Sequence, residues 1–411
     1  MTCARRWTVA VLLAALAPTV VAGQSVVPQA QRRDTATKIE VYGFAQADAI
    51  YDFKVNNPDW FDVNRPSRLK AFDREFGDDH HTWFSVRQTR FGVKATVPTP
   101  KGPDVKVVFD FDMFGVGVDA GQTTIRLRHA YGQWGKLGAG QLESPFMDLD
   151  VFPNIVEYWG PNGMLFFRNV QVFWQPINRA DGTRATIALE RPGASGDLGR
   201  FSERVELQNL IARFPAPDIS AEYRSGHHWG YIEAAAMVRW IRWDDVLPDT
   251  FDLAGGVTGW GVSLSSNYKA TKKDVLRLQV IGGAGVENYF NDAPVDVGPR
   301  LNLGNPRRPL VGEALGDFGM SAYLDHTWNK WFSTAIGYAR VDIDNSNLQS
   351  AEAFKNGQYS SVNLLYYPAP NILLGGEFQW GSRENFDDFS TNDFRLQFAF
   401  KYSFSQTFGG R

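Results

Sequence analysis

The stretch that decides the fold is TTIRLRHAYGQWG, from Thr123 to Gly135. It alternates as a β-strand does, with Ile125, Leu127 and Tyr131 in one phase. The other phase carries Arg126 and Arg128, and a similar segment upstream holds Arg87 and Arg90. Arginines at alternate positions of an otherwise apolar strand require different surroundings on its two faces. At mid-depth of a bilayer each lipid-facing arginine would cost about 2–4 kcal/mol, whereas Ile125 and Leu127 carry no such cost. The segment therefore reads as a strand with lipid on one side and water on the other.

The same pattern recurs along the chain. In NDFRLQFAFKYSFSQTF, Phe394, Leu396, Phe398, Phe400, Tyr402, Phe404 and Phe408 share one phase, while Arg395, Gln397, Ala399, Lys401 and Ser403 share the other. That run far exceeds the five or six residues of an ordinary sandwich strand and matches a tilted membrane strand of about 9–11 residues with an overhang. NILLGGEFQWG, DVLRLQVIG, GWGVSLSSNYK and DVKVVFDFDMF repeat it. Aromatics at strand ends (Tyr42, Trp83, Trp134, Trp174, Trp240, Tyr268, Tyr366, Trp380) suit interfacial girdles. Tight connectors such as PTPKGPD, HTWNKW and YYPAPN alternate with long polar ones over 56–81, 141–168 and 288–316. Short turns at one end and long loops at the other predict an all-β fold, a transmembrane antiparallel β-barrel of about 16 strands. A barrel of that width leaves an aqueous channel.

Composition agrees. Aromatics make up 14% of the 411 residues and Gly is plentiful at 39, both suited to pleated walls and tight turns. A mean hydropathy of −0.29 is too polar for a helical membrane protein. The net charge of −3 points to no nucleic-acid partner. Arg5 and Arg6, an apolar run from Trp7 to Ala17, and small Val20 and Ala22 predict a cleaved secretory signal over residues 1–22. The apolar run is too short for a spanning helix. Residues 23–38 are expected as a short periplasmic segment and 39–411 as the barrel. The single cysteine, Cys3, leaves with the signal, so no disulfide is expected.

Three motifs resemble the trimeric anion-transporting porins of the DcaP family: RQTRFGVKA (Arg87–Ala95), FDFDMFG followed by TTIRLRHAYGQWGKLGAGQLESPFMDLD, and GPNGMLFFRNVQVFW (Gly160–Trp174). The likeness is densest from Tyr42 to Trp174 and returns in the final strands. It implies a sixteen-stranded homotrimeric barrel in a Gram-negative outer membrane, in contact with lipid and lipopolysaccharide. It also implies a third extracellular loop folded inward and passage of small anions, notably dicarboxylates. Two features depart from it. GQSVVPQAQRRDTATK is too short and Pro-broken for the helical stretch the family can carry before the barrel. The chain also runs past Phe408 to Gly409, Gly410 and Arg411 rather than finishing on an aromatic.

The lumen phase nominates the site. Arg126, Arg128, Arg90, Lys94 and Arg395 are expected to face the pore, with Arg168 at the far end of the third loop completing the basic set. Arg87, out of phase, fits a rim. The segment 141–168 mixes Glu143, Asp148, Asp150 and Glu157 with Phe146, Phe152, Tyr158 and Trp159. It is too apolar to stay extended in water, so it is expected to pack inward against the arginine wall as a constriction loop. A carboxylate about 6 Å from one guanidinium in water gains only ~0.7 kcal/mol, and two facing several arginines a few. The preference of roughly ten- to hundredfold that results still permits release. The bland alternative is that these arginines only pair with loop acids and hold the loop.

Other motifs carry less. His80–His81 and His227–His228 lack a spaced third ligand, so no metal is expected. GVGVDAG and GGAGVENY open no helix, and neither reads as a phosphate cradle. Asp110 and Asp112 balance arginines better than they serve acid–base chemistry. No cofactor, catalytic residue or enzyme activity is expected. The rival readings are a phosphate-selective or general diffusion porin, then a barrel enzyme.

Overall fold

The structure, a computed structural model, describes residues 36–410. The expected signal, 1–22, and most of the 23–38 segment lie outside the described residues. Eighteen hydrogen-bonded segments form one sheet, and they make sixteen wall strands because two strands are interrupted. In chain order these are β1 (Lys38–Asp52), β2 (His81–Ser85 and Arg90–Val97), β3 (Val105–Phe114), β4 (Thr123–Trp134), β5 (Leu137–Glu143) and β6 (Arg168–Asn178). Next come β7 (Arg184–Glu190), β8 (Leu210–Arg213 and Asp218–His227), β9 (Gly230–Asp245), β10 (Gly255–Lys269) and β11 (Asp274–Ala284). The last are β12 (Gly316–Thr327), β13 (Phe332–Asp344), β14 (Phe354–Ala369), β15 (Ile372–Asn385) and β16 (Ser390–Phe408). Both halves of β2 pair with β1, and both halves of β8 pair with β9. The break in β8 spans Pro215 and Pro217, which have no N–H to give a ladder.

The sheet closes where β1 pairs antiparallel with β16, from Ile39↔Phe408 to Asp52↔Arg395. Closure leaves no edge, so every wall strand satisfies its backbone inside the bilayer. Short turns (98–104, 135–136, 179–183, 228–229, 270–273, 328–331, 370–371) gather at one end. The other end carries 53–80, 115–122, 144–167, 191–209, 246–254, 285–315, 345–353 and 386–389. Long loops mark the extracellular end. No helix among the described residues is long and apolar enough to cross a membrane; the chain crosses with strands.

The outer face is apolar as the alternation requires, with Ile125, Val262, Leu264, Phe398 and Phe400 all exposed. Two of the expected girdle aromatics turn inward instead. Tyr42 donates to Asp110 (2.8 Å) and Trp83 to Asp52 (3.0 Å) across the lumen face.

The core lies inside the barrel. Phe146, Met147 and Leu165 of the third loop (144–167) and Val286, Tyr289 and Phe290 of the sixth (285–315) pack on Ala235, Met237, Ile281, Val341 and Ile343. These wall residues belong to β9, β11 and β13 and point into the lumen, where the alternation leads one to expect polar groups. Their apolar character gives the loops a surface to bury against. Glycine makes the approach possible: a Cβ on Gly261 would sit 2.6 Å from Phe146 Cζ, and one on Gly319 would sit 2.3 Å from Phe290 Cε1. The third and sixth loops thus fill the β9–β14 half of the lumen. The first loop (53–80) covers part of the opposite side through contacts of Asp62 with Arg87 and of Phe61 with Arg395.

Candidate functional site: an arginine-lined constriction

Strand β4 brings the first side chains together by breaking its own alternation. Asp110 pairs with His129 and Phe111 with Leu127, so Arg128 is one residue too many. This β-bulge places Arg126, Arg128 and His129 all on the lumen side. Tyr131, expected on the lipid side with Ile125 and Leu127, therefore turns inward beside His129, the ring centroids 6.2 Å apart.

Arg126 meets the buried Asp112 carboxylate through Nε (3.0 Å) and Nη2 (2.7 Å), and Arg128 Nη1 meets it at 2.9 Å. Both arginines also donate to the hydroxyl of Tyr158 from the third loop, at 2.6 and 2.5 Å, and that hydroxyl donates to Asp112. The Tyr158 ring stacks on Phe114, with centroids 4.8 Å apart. Arg126 and Arg128 are thus the clamp that receives the loop's tip. The pairing is to Asp112 of the neighbouring strand and to a loop tyrosine, not to loop acids.

Arg90 on β2 and Arg168 at the start of β6 differ from them. Neither has an ion-pair partner or a side-chain hydrogen bond among the described residues, and Arg90 Nε and Arg168 Nη1 are buried without a partner. Each lies against an aromatic ring, Arg90 5.5 Å from the Phe44 centroid and Arg168 5.0 Å from that of Phe166. Arg168 sits directly across from Glu143 in register, yet Glu143 is engaged elsewhere. His129 spans two acids, with Nδ1 2.7 Å from Asp110 and Nε2 2.6 Å from Glu143. Both guanidiniums lie within electrostatic reach of Arg128, with Asp110 and Asp112 also in reach of Arg90 and Glu143 of Arg168. The result is a patch of four arginines in which two keep uncommitted positive charge toward the lumen.

The third loop reaches this patch by running round the inner wall. Asp148 accepts from Arg224 (2.5 Å), Tyr231 (2.6 Å) and Ser265 (2.6 Å) on β8–β10. Asp150 accepts from Arg224 at 2.5 Å and lies 3.6 Å from Arg184. Asn154 contacts the Tyr367 hydroxyl (3.1 Å), and the backbone N–H groups of Val156 and Glu157 donate to Glu377 on β15. Tyr158 and Trp159 then arrive at β3 and β4. The loop acids therefore do not pair with Arg126 and Arg128 as expected. Asp148 and Asp150 anchor the loop to Arg224 and Arg184, two lumen-phase cations that alternation alone did not single out, although EYRSG carries Arg224 in plain phase. Glu143 is held by His129 and Glu157 by backbone N–H groups.

Glu157 is fully enclosed, accepting from the backbone N–H groups of Asn64 (3.1 Å) and Gly160. Burial, reinforced by Glu377, pushes its carboxyl up to about 8. A carboxyl raised on folding binds its proton more tightly in the native state. Its contribution is therefore complete below the ordinary carboxyl range and is lost as pH rises through about 8. We expect the thermal midpoint of the wild type in detergent to fall between pH 6 and pH 9, and that of Glu157→Gln to fall less. Equal slopes would contradict the assignment.

Two nominated cations lie elsewhere. Lys94 is half exposed toward the turn end, 4.2 Å from the Tyr42 ring centroid and 3.9 Å from Glu40. Arg395 is sealed beneath the first loop (53–80), 2.5 Å from Asp52 and 3.1 Å from the carbonyl of Phe61. Arg87 is also fully buried, bridging Asp62 (2.5 Å) and the carbonyls of Gly115 and Gln122. No group of three or more His, Cys, Asp or Glu among the described residues could hold a metal.

A closed sixteen-strand wall with one loop folded across it is the architecture of an outer-membrane channel, and the family described as DcaP outer membrane protein matches residues 28–404. The chain belongs to that family. Among solved structures, the outer membrane channel DcaP of Acinetobacter baumannii superposes with a TM-score of 0.74 at 20% identity, over 90% of this chain and 97% of that one. An anion-selective porin from Comamonas acidovorans gives 0.58 at 9% identity, over 90% and 100%. A trimer form of OmpT from Vibrio cholerae gives 0.53 at 11%, over 90% and 99%. At these identities the likenesses show a shared fold. Among curated proteins none matches. This DcaP-family protein is an outer-membrane porin of a Gram-negative bacterium, and its family and structural neighbours are channels rather than enzymes.

Proposed function

We propose that this porin passes small anionic solutes, dicarboxylates foremost, by passive diffusion along the lumen face that carries Arg90 and Arg168. The observation that carries the reading is the pair Arg90 and Arg168, positioned by Phe44 and Phe166 and left without a carboxylate. An aromatic ring orients a guanidinium without cancelling its charge, so its N–H groups stay available to a solute. Arg126 and Arg128 add positive potential but are tied to Asp112 and Tyr158, Arg126 through Nε and Nη2 and Arg128 through Nη1. The Comamonas acidovorans neighbour, an anion-selective porin of the same fold, lends support. The OmpT trimer form supports a homotrimer in lipid and lipopolysaccharide, reached after removal of residues 1–22.

A general diffusion pore is the second reading, since Asp110, Asp112 and Glu143 offset part of the positive charge at the wall. Single-channel recording separates the two. On the anion reading, millimolar succinate interrupts chloride current and an uncharged solute of the same size does not. Equal effects of the two solutes would favour general diffusion.

A further inference from the structure

One more lumen cation is held in the manner of Arg90 and Arg168. Lys401 lies on the inward phase of β16, with Nζ 3.9 Å from the Phe44 ring centroid, and it makes no ion pair or side-chain hydrogen bond among the described residues. Phe44 on β1 therefore carries two cations, Lys401 on one flank and Arg90 on the other. The nearest acid on this part of the wall, Asp48, accepts from Gln46 (3.0 Å), Gln88 (3.1 Å) and Gln397 (3.0 Å) instead. Three amides hold that carboxylate, so it meets the lysine only through space.

We propose that Lys401 and Phe44 extend the anion-contact surface past Arg90, so that a dianion is held at two points while a monoanion is held at one. This rests on the anion reading of the constriction. The wall geometry supports it: Arg90 on β2 is two strand steps from Lys401 on β16 and two from Arg128 on β4, about 10 Å each way along the wall. Long side chains reaching inward shorten both gaps. A short dicarboxylate fits with one end at Arg90 and the other at Lys401 on one side, or at Arg128 and Arg168 on the other. Phe44 sets the spacing of the first pair because both cations rest on its ring. Lys401 is thus a specificity residue that favours two charges over one.

The test compares block of chloride current by succinate and by acetate in the trimer-forming full-length protein. Removing one unit charge about 5 Å from a carboxylate in water raises the half-blocking concentration about three- to fivefold. In Lys401→Met we expect that rise for succinate and less than half of it for acetate. Lys401→Arg should restore wild-type values, and Phe44→Leu, which keeps both cations but frees them, should narrow the succinate–acetate difference. Succinate block unchanged in Lys401→Met, with the wild type still blocked, overturns this proposal alone. A wild type that succinate does not block overturns the anion reading as well. Equal loss for succinate and acetate also overturns it, leaving Lys401 a general source of positive potential.

Discussion

Replacing Arg90 and Arg168 together by glutamine lowers the permeability of chloride about tenfold and raises that of potassium by a similar factor. The expectation follows from Coulomb's law in a wet pore. A unit charge about 6 Å from a passing ion in a water-like medium contributes ~0.7 kcal/mol, so two contribute ~1.4 kcal/mol, a factor of about ten. Neither arginine holds the fold by an ion pair, since neither has a carboxylate partner. The yield of folded protein and the thermal midpoint should therefore stay near wild type while the reversal potential moves toward that of a non-selective pore. Arg126→Gln is the contrasting variant. It leaves Asp112 short of two of its donors and should disturb the loop tip more than the selectivity. A double variant with unchanged reversal potential would leave the two free guanidiniums without a role.

The second large effect is mechanical. Arg224 is nearly enclosed and holds three carboxylates, Asp148 (2.5 Å), Asp150 (2.5 Å) and Glu233 (2.7 Å), and its guanidinium lies 3.6 Å from the centroid of Tyr231. Removing one partner of a buried ionic cluster costs about 3–5 kcal/mol because the remaining charges are left uncompensated. Arg224→Ala should therefore release the 148–150 segment, through which the third loop is ion-paired to β7 and β8. Expected results are higher single-channel conductance, frequent flickering between levels, and cleavage of the loop by added protease in the folded protein. The barrel itself should persist, because its closure depends on the β1–β16 ladder. Quiet wild-type conductance in Arg224→Ala would show that the apolar packing of Phe146, Met147 and Leu165 holds the loop unaided.

Much of this architecture was legible from alternation, because a membrane strand with two solvents writes its two faces into successive residues. Phe394 to Tyr402 shows it plainly, and the structure places those aromatics outward and Arg395, Gln397 and Lys401 inward. The bulge at Arg128 was not legible in that way. An extra residue shifts the phase of everything after it, and the only trace is the polar doublet Arg128–His129. Assuming one phase throughout put Tyr131 on the wrong face. The loop was recognisable from its apolar residues, but its electrostatic partners were not. Asp148 lies close in sequence to Arg126 and Arg128, whereas its partner Arg224 is 76 residues away. Proximity along the chain says little about which of several lumen arginines a folded loop will meet. The dry half of the lumen was hidden for a related reason. Ala235 and Met237 occupy the inward phase of β9, and alternation marks that phase as wet unless the covering loop is known. The difference between a committed and a free arginine required the pairing map itself, since Arg90 and Arg126 look alike in sequence.

The most direct measurement of the central claim is the zero-current potential of the wild-type protein in a planar bilayer under a tenfold potassium chloride gradient. An Arg90 and an Arg168 without ion-pair partners on the lumen wall predict a potential displaced toward the chloride equilibrium value, with the displacement shrinking as salt screens the charges. A potential displaced toward the potassium value would contradict the account.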